Sequence, residues 1–351
     1  MEMDAFSGTN IFHAPYLCYS WLVMSESRFP KSLLEAIRYF SDADVCVEFV
    51  ASMRWPNGVA CPHCGSERVS FLKSRRIWKC MAKVCHKQFS AKTGTIFEDS
   101  PIPFDKWLTA VWLIVNCKNG VSSYEIARDL KVTQKSAWFM MHRVRLALRN
   151  GTFDRLGSSG GPVEVDEAYI GGKPKNMHAS KRYRLQKVYG QRSPKIPVIG
   201  MLDRDTRQIR AKVLPEIDRG TLMKEVLEGI HRGSKLYTDA AHGYHAAKDH
   251  FVHDTVNHMY EYVRGEVHTN GIENFWSLLK RGLNGTYVAV EPFHLFRYLD
   301  EQMFRFNNRS TKDNPLTDAD RFVLAVSQIA GKRLTYEELT GKAMETGPEP
   351  F

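Results

Sequence analysis

Two close pairs of cysteines fix the fold of one short segment of this chain. The pairs read Cys61-x2-Cys64 and Cys80-x4-Cys85, with fifteen residues between Cys64 and Cys80. Cysteine pairs at such spacing can surround one tetrahedral Zn²⁺. The metal would then supply folding energy that so short a segment cannot obtain from a hydrophobic core. The sequence therefore predicts a zinc ribbon over residues 61–92, with four unrelated buried thiols as the alternative.

The second cysteine pair leaves the fourth zinc ligand open. Its four-residue gap is wider than the common two, and His63 and His86 stand beside cysteines as substitutes. In either case four protein ligands leave no position for a substrate, so the predicted zinc is structural. Paired cysteines of this kind indicate metal ligation in a reducing compartment rather than disulfides. The remaining cysteines, which we expect to be inert thiols, are Cys18, Cys46 and Cys117.

Composition narrows the class of protein. The chain has 351 residues, of which 43% are hydrophobic, which is enough for two or three domains with real cores. Its net charge of +10 favours a polyanionic partner, although an ordinary basic enzyme can carry the same charge. No run approaches the roughly 20 apolar residues of a membrane helix, and no secretion signal is evident. We therefore expect a cytoplasmic protein that does not enter the membrane.

The segments flanking the cysteines differ in regularity. Residues 1–28 show little periodicity and predict a poorly ordered extension, with Met24 as an alternative start. Residues 29–60 place apolar side chains at helical spacing and predict two short helices with a structural role.

Residues 104–150 have the outline of a helix-turn-helix. Ser122 and Glu125 form a capping box, and Thr133 caps a second helix after a short break. Such a second helix can enter the major groove of DNA, although helix pairs with basic faces also occur in other proteins. The polar residues that we predict to be exposed on it are Gln134, Lys135, Ser136, His142, Arg143 and Arg145.

After the linker GSSGGP, the pattern changes from helix to strand and indicates an α/β domain over residues 161–310. Val163 and Val165 alternate with polar residues, so Asp166 should project from the face opposite these valines. A hairpin and a helix then lead to the strand SKLYTD, which ends at Asp239. In an open α/β sheet, sites assemble at strand ends.

A third acid, Glu273, lies on an amphipathic helix that begins near Asn270. Lys280 follows nearly two turns later and shares its face. Taken alone, a Glu and a Lys on one face usually just meet solvent. With Asp166 and Asp239, however, Glu273 would complete a carboxylate cluster suited to two Mg²⁺ or Mn²⁺ ions and to phosphoryl transfer.

A strongly basic stretch spans residues 173–195, which include two tyrosines and no Asp or Glu. Such a stretch can follow a DNA backbone while its aromatic rings stack on unpaired bases. The alternative is a solvated, mobile loop. Its residues that we predict to bind DNA include Lys181, Arg182 and Arg184.

Five motifs together resemble one known family. They are RWPNGVACPHCGS, KQFSAKTGTIFEDS, VEVDEAYIGGK, HTNGIENFWSLLKRG and FRFNNR. Their combination resembles the zinc-ribbon DDE transposases of insertion sequences, the ISXO-two-like group related to the Merlin elements, over about residues 29–340. The resemblance implies a ribonuclease H-like (RNase H-like, retroviral-integrase-like) catalytic domain. In that domain Asp166, Asp239 and Glu273 match the metal-binding acids, and Lys280 matches the basic residue that follows them.

The resemblance further implies a DNA transposase whose N-terminal modules bind the terminal inverted repeats of its element. Its partners would be double-stranded terminal-repeat DNA and target DNA, and its active form a homodimer or larger assembly on DNA. It would then be associated with the nucleoid in a bacterium, or nuclear in a eukaryote. Lys280 and Arg281 would contact DNA, while His268 and Asn270 would orient DNA or water. The alternatives are a DNA-binding regulator with an inactive nuclease domain and a stand-alone RNase H-like nuclease.

The C-terminal part of the chain, including a tail at residues 311–351, is predicted to be helical. We expect residues 292–344 either to form a contact surface between chains or to pack on their own catalytic domain.

Overall fold

The computed structural model describes residues 29–149, 154–172, 175, 177–180, 182–183, 187, 195–239, 242–256, 267–288, 290–312 and 314–341. The predicted extension at residues 1–28 and the predicted DNA contacts Lys181 and Arg184 lie outside these ranges. Within the described part of the chain, every helix is too short or too polar to cross a membrane.

The two helices predicted before the cysteines are confirmed as α1 (Leu33–Tyr39) and α2 (Ala43–Arg54). Each begins at a side chain that accepts a backbone N–H, Ser32 for α1 and Asp42 for α2. A small antiparallel sheet follows, formed by β1 (Val69–Leu72), β2 (Ile77–Cys80) and β3 (Gln88–Phe89). This sheet carries the cysteine pairs.

Three further helices precede the α/β domain: α3 (Phe104–Asn116), α4 (Ser123–Leu130) and α5 (Gln134–Leu148). Both predicted caps are confirmed, because Ser122 and Glu125 form a capping box and the Thr133 side chain accepts the backbone N–H of Ser136. The helix α5 is central rather than exposed, since α3, α4 and later parts of the chain pack around it. The pair α4 and α5 therefore has the predicted helical boundaries but a more buried setting.

A mixed five-stranded sheet forms the second half of the molecule. Its strands are β4 (Val163–Ile170), β5 (Ile196–Asp203), β6 (Ile209–Val213), β7 (Lys235–Asp239) and β8 (Val252–Val256), and the helix α6 (Arg219–Gly229) connects β6 to β7. The strand order is β6-β5-β4-β7-β8. Strand β5 runs antiparallel to both neighbours, whereas β4, β7 and β8 are parallel. The predicted succession of strand, hairpin, helix and strand is confirmed, and the edge strand β8 is an addition.

Helices cover both faces of this sheet. One face packs against α6 and a 3₁₀ helix at His242–Asp249. The other face packs against α7 (Asn270–Gly282) and α8 (Leu295–Asn307). Strand β4 lies in the middle of the sheet, between these two helix layers. Because side chains alternate along a strand, Val163 and Val165 face α6 and the 3₁₀ helix, and the alternate residues of β4 face α7.

The C-terminal segment does not stand apart as a tail. It forms α9 (Asp318–Ser327) and α10 (Tyr336–Thr340). Phe322 of α9 is buried among the rings of Phe40, Phe49 and Trp112, which belong to α1, α2 and α3 or their ends. Likewise α8 buries Leu295 and Leu299 against the sheet. Helix α8 therefore packs on the α/β domain, as one of the two expectations states, whereas α9 packs on the N-terminal helices instead. The other expectation, a contact surface between chains, stays a prediction.

A buried ion network ties α5 to α8. Glu301, which is only 1% exposed, accepts a hydrogen bond from Arg145 Nε at 2.6 Å. It also accepts hydrogen bonds from Arg305 Nη1 and from the hydroxyl of Tyr287. Arg305 in turn donates to the carbonyl of Ile114 on α3 at 3.2 Å. One carboxylate thus holds together helices from the two halves of the chain.

We expect Glu301→Gln to lower the free energy of unfolding by about 3–5 kcal/mol, because the two guanidinium groups would remain buried without a counter-charge. Burial opposes ionisation of Glu301, but Arg305 and Arg145 outweigh it and hold its pKa at about 2. This stabilisation is therefore complete above the unfolded pKa of about 4.3 and is lost as pH falls towards the folded value.

Urea unfolding at neutral pH and at about pH 3 measures both effects. Glu228→Gln, an exposed change on α6, is the matched control and should behave like wild type. The deficit of Glu301→Gln should shrink as pH falls below about 4. Equal stability of wild type and Glu301→Gln at neutral pH would contradict the assigned role of the network.

Candidate functional site

The four predicted cysteine ligands lie together. Their Sγ atoms are all within 4.8 Å of one another. The Cys61–Cys85 and Cys64–Cys80 sulfur pairs are 3.8 Å and 3.6 Å apart. A tetrahedral zinc with Zn–S bonds of about 2.3 Å requires sulfur–sulfur distances of about 3.8 Å. The donor set and its spacing therefore fit a structural zinc ion.

The wide second cysteine pair closes through a local turn. The backbone N–H of Cys85 donates to the carbonyl of Ala82 at 3.1 Å, and the N–H of Cys80 donates to that of Lys87 at 2.9 Å. This turn brings the Cys85 sulfur to the other three. Within the described residues the sulfur group contains neither His63 nor His86, so the geometry favours four cysteines over the histidine alternatives.

Asp166 and Asp239 lie side by side on neighbouring parallel strands. The register of β4 and β7 pairs Glu164 with Tyr237 and Val165 with Thr238. Continuing it by one residue places Asp166 next to Asp239, with both side chains on the face that α7 covers. The sequence prediction that the fold brings these two acids together is thereby supported.

Glu273 approaches the same face from the first turn of α7. Burial raises the pKa of Asp166 to about 6, and the charge of Asp239, and less strongly that of Glu273, adds to the effect. Hydrogen bonds from the backbone of Glu167 and from Trp276 oppose it. Asp239 and Glu273 thus disfavour the charge of Asp166. The oxygen donors of these three carboxylates suit a hard divalent cation.

The acids are gathered less tightly than the cysteines. Among the described residues, the cysteine cluster is the only group of three or more His, Cys, Asp or Glu residues whose ligand atoms all lie within 4.8 Å of one another. Glu273 is exposed, and its Oε1 accepts a hydrogen bond from Thr269 Oγ1 at 3.1 Å. The residue types fit divalent metals, and the carboxylates converge without forming a closed set.

Trp276 contacts the site, although its place on the apolar stripe of α7 indicated only a packing role in the sequence. Its Nε1 donates to Asp166 Oδ2 at 3.1 Å. The indole lies over Gly200, which pairs with Asp166 across β4 and β5. A Cβ at residue 200 would come within 2.6 Å of the ring, so the missing side chain makes room for this contact. A buried indole N–H usually has a hydrogen-bond partner. The position of Trp276 on the apolar stripe was therefore a signal in the sequence that could have identified this contact.

Glu167 is a fourth acid near the pair. It points to the opposite face of β4, where the hydroxyl of Tyr244 donates to its carboxylate. Burial, followed by the charges of Asp239 and Asp166, raises its pKa to about 8. The alternation of the strand separates the side chains of Glu167 and Asp166 without removing their electrostatic interaction.

The other predicted site residues of α7 lie at its two ends. Asn270 is exposed where the helix begins, and Lys280 and Arg281 are exposed in its last turn. His268, just before the helix, accepts a hydrogen bond at Nδ1 from Arg204 Nη2 at 2.6 Å.

The predicted exposure of three residues on α5 is wrong. His142 is fully buried, and Arg145 is held by Glu301. Arg143 is 5% exposed, and its guanidinium donates to the carbonyls of Leu334 and Glu98 at 3.1 and 2.7 Å. Helix α8 and the chain near Leu334 cover these faces of α5. Arg143 and Arg145 therefore hold the fold together in this conformation and are withdrawn as DNA contacts.

Lys135, by contrast, is exposed at the first turn of α5. Its Nζ lies 4.5 Å from the centre of the Tyr336 ring on α10. In the basic stretch, Arg182 is partly exposed and Tyr183 is 71% exposed. Lys135 and Arg182 remain predicted DNA contacts.

Comparison with known proteins defines the class. Residues 159–307 match the ISXO2-like transposase domain, and residues 41–88 match the transposase zinc-ribbon domain. These are the two regions that contain the carboxylates and the cysteines. The molecule thus combines a zinc ribbon with a DDE transposase domain.

Two relatives agree with these matches. The chain is 30% identical over 275 residues, which are 75% of this chain and 90% of the relative, to an uncharacterized protein in transposable element ISH50 of Halobacterium salinarum. It is 32% identical over 101 residues, 28% of this chain and 81% of the relative, to an uncharacterized transposase-like protein of Haemophilus influenzae. The chain belongs to the ISXO2-like transposase family.

Proposed function

We propose that this protein binds the terminal inverted repeats of its insertion sequence and catalyses metal-dependent cleavage and joining of DNA strands. The observation that carries the proposal is the convergence of Asp166, Asp239 and Glu273 on one face of the sheet, inside the matched transposase domain. The helix-covered mixed sheet of residues 161–310 supports an RNase H-like assignment of this domain.

In the proposed reaction, water hydrolyses a phosphodiester at the transposon end and frees a 3′-hydroxyl. This hydroxyl then attacks a phosphodiester of target DNA, becomes joined to the target 5′-phosphate and displaces the target 3′-hydroxyl. Two Mg²⁺ or Mn²⁺ ions, about 4 Å apart, would activate the attacking oxygen and stabilise the leaving one. Asp166 would help to hold both ions, and Asp239 and Glu273 would each help to hold one. No protein side chain needs to become covalently linked to DNA.

The remaining parts of the chain would position DNA. Lys280 and Arg281 lie on α7 beyond Glu273, where a phosphate contact would hold the strand to be cut. Lys135 is at the N-terminal end of α5, the end from which a recognition helix contacts base edges. We propose that the ribbon at residues 61–92 and the helix pair within residues 104–150 bind the terminal repeats.

The runner-up is a DNA-binding regulator in which the α/β domain does no chemistry. It keeps the ribbon and the helix pair useful but leaves the convergence of three acids unexplained. An assay of strand transfer with DNA that carries the repeats flanking the gene separates the two functions. Metal-dependent joining to target DNA supports the transposase, whereas end binding without cleavage at any Mg²⁺ or Mn²⁺ concentration supports the regulator.

We expect the active form to contain at least two chains on paired transposon ends. Coordinated strand transfer uses two ends, and each chain supplies one set of acids. Light scattering of complexes assembled on paired-end DNA measures the stoichiometry, and DNA with scrambled ends is the control. A single chain that completes strand transfer of both ends would contradict this expectation, whereas a monomer in the absence of DNA would not.

A further inference from the structure

A buried carboxylate lies beside the three acids and takes part in none of the roles assigned so far. Glu164 on β4 is 1% exposed. Its Oε1 accepts a hydrogen bond from Arg204 Nε at 2.6 Å, and its Oε2 accepts one from the backbone N–H of Ile272 at 2.8 Å. One carboxylate therefore joins the central strand to the turn after β5 and to the start of α7.

Arg204 extends this connection. Its Nη2 lies 2.6 Å from both Nδ1 and the carbonyl oxygen of His268. Because a guanidinium has no acceptor, Nδ1 of His268 must accept, and the ring proton is on Nε2. The guanidinium also lies 4.9 Å from the centre of the Tyr237 ring on β7. Arg204 thus contacts β4, β7 and His268, which lies two residues before α7, at once.

The residues that make these contacts lie one or two positions before each acid in the sequence. Glu164 is two residues before Asp166, and Tyr237 is two residues before Asp239. Ile272 immediately precedes Glu273. Glu164 and Tyr237 are also paired in register, so they lie on the same face of the sheet as the aspartates.

The start of α7 depends on this outside carboxylate. The side chain of Thr269, the residue before the helix, caps no backbone N–H and instead donates to Glu273. Glu164 supplies the acceptor and the negative charge that the N-terminus of a helix favours. The approach is close, since a Cβ at Gly271 would lie 2.6 Å from Leu202 and 2.9 Å from Glu164 Oε2.

We propose that Glu164 and Arg204 are positioning residues, which hold the first turn of α7, and with it Glu273, at a set place relative to Asp166 and Asp239. The inference rests on the proposed function, since it concerns the same metal site. A buried ion pair is by itself weak evidence of a contribution to stability. The pair of Glu164 and Arg204, however, contacts the elements that carry the three acids. We therefore assign it a role in placing these acids as well as in stability.

The test compares Glu164→Gln and Arg204→Lys with wild type. Glu164→Gln keeps the shape but places an amide against Arg204, and Arg204→Lys keeps the charge but loses the planar fork that reaches Glu164 and His268 together. The matched control is Glu225→Gln. Glu225 lies on α6, in the helix layer on the opposite face of the sheet, and its carboxylate accepts a 2.6 Å hydrogen bond from Lys212.

Calorimetric titration with Mn²⁺ alone is the first readout. We expect both variants to bind Mn²⁺ about 10–100-fold more weakly than wild type, as is usual when groups that orient metal ligands are removed. Glu225→Gln should bind like wild type. A loss of stability without misplacement of Glu273 would leave the Mn²⁺ affinity of the folded protein unchanged, so this measurement separates positioning from stability.

DNA cleavage as a function of Mn²⁺ concentration is the second readout. High Mn²⁺ should restore much of the activity of Glu164→Gln and Arg204→Lys, whereas Glu273→Gln, which lacks the ligand itself, should stay inactive. Folded variants with wild-type Mn²⁺ affinity and cleavage would overturn the positioning role. If Glu164→Gln does not fold, Arg204→Lys tests the positioning role alone. We expect this variant to fold, because Arg204 is partly exposed beside a turn. A wild-type protein that neither binds Mn²⁺ nor cleaves DNA would instead count against the proposed function.

Discussion

Asp166→Asn, Asp239→Asn and Glu273→Gln should each reduce DNA cleavage by about 1,000-fold or more, a loss of about 4 kcal/mol of transition-state stabilisation. Each change keeps the size of the side chain but removes a negative charge that a divalent metal requires. The ribbon and the helix pair, which we propose to bind the terminal repeats, contain none of the three acids, so binding to terminal-repeat DNA should stay close to wild type.

Single-turnover cleavage of labelled end DNA and a parallel binding measurement test this expectation. Asp249→Asn and Glu228→Gln are matched controls, because both acids are exposed and belong to the layer on the opposite face of the sheet. Cleavage near the wild-type rate in any of the three site variants would remove that residue from the metal site. Loss of end binding together with cleavage would point to a folding defect instead.

Cys61→Ser and Cys80→Ser should release the zinc and unfold the ribbon. Apparent binding free energies of structural zinc sites reach about 10–16 kcal/mol, and most of this is folding free energy of a segment that has little core of its own. We expect about one zinc per wild-type chain, none in these variants, and a loss of terminal-repeat recognition. The α/β domain should keep its fold, because its two cores contain no residue of the ribbon.

Elemental analysis of the purified protein and end-binding titrations measure both effects. Cys117→Ser, a half-buried thiol outside the cluster, is the control and should retain zinc and DNA binding. Cys85→Ser tests the fourth ligand: if it alone keeps zinc, His86 takes the place of the sulfur. Metal-free protein that binds ends normally would refute the ribbon assignment.

Local patterns were sufficient to predict the elements that carry the site. The caps at Ser122 and Thr133 set the starts of two helices because they depend only on neighbouring residues. The alternation of β4 placed Asp166 opposite the valines for the same reason. That alternation also put Glu164 on the face of Asp166, but the sequence did not reveal that α7 would cover this face and bury the carboxylate.

Contacts between distant segments explain what the sequence could not predict. The arginines of α5 fall on polar positions of an amphipathic pattern, and such positions are normally exposed. They are buried here because Glu301 and Leu334, more than 150 residues away in sequence, supply their partners. The role of Trp276 was hidden likewise, since its indole N–H meets an acid 110 residues distant.

The return of α9 to the N-terminal helices affects the order of events during synthesis. The core formed by α1, α2 and α3 includes Phe322, Ala325 and Val326, which leave the ribosome only after the whole α/β domain. Domains usually fold as units from the N-terminus onward, whereas this one stays unfinished until the α/β sheet has been made. A chain that terminates before α9 would lack part of the hydrophobic core beneath the ribbon and the helix pair. If these modules bind transposon ends as proposed, such a truncated product is poorly suited to compete there with chains that contain α9.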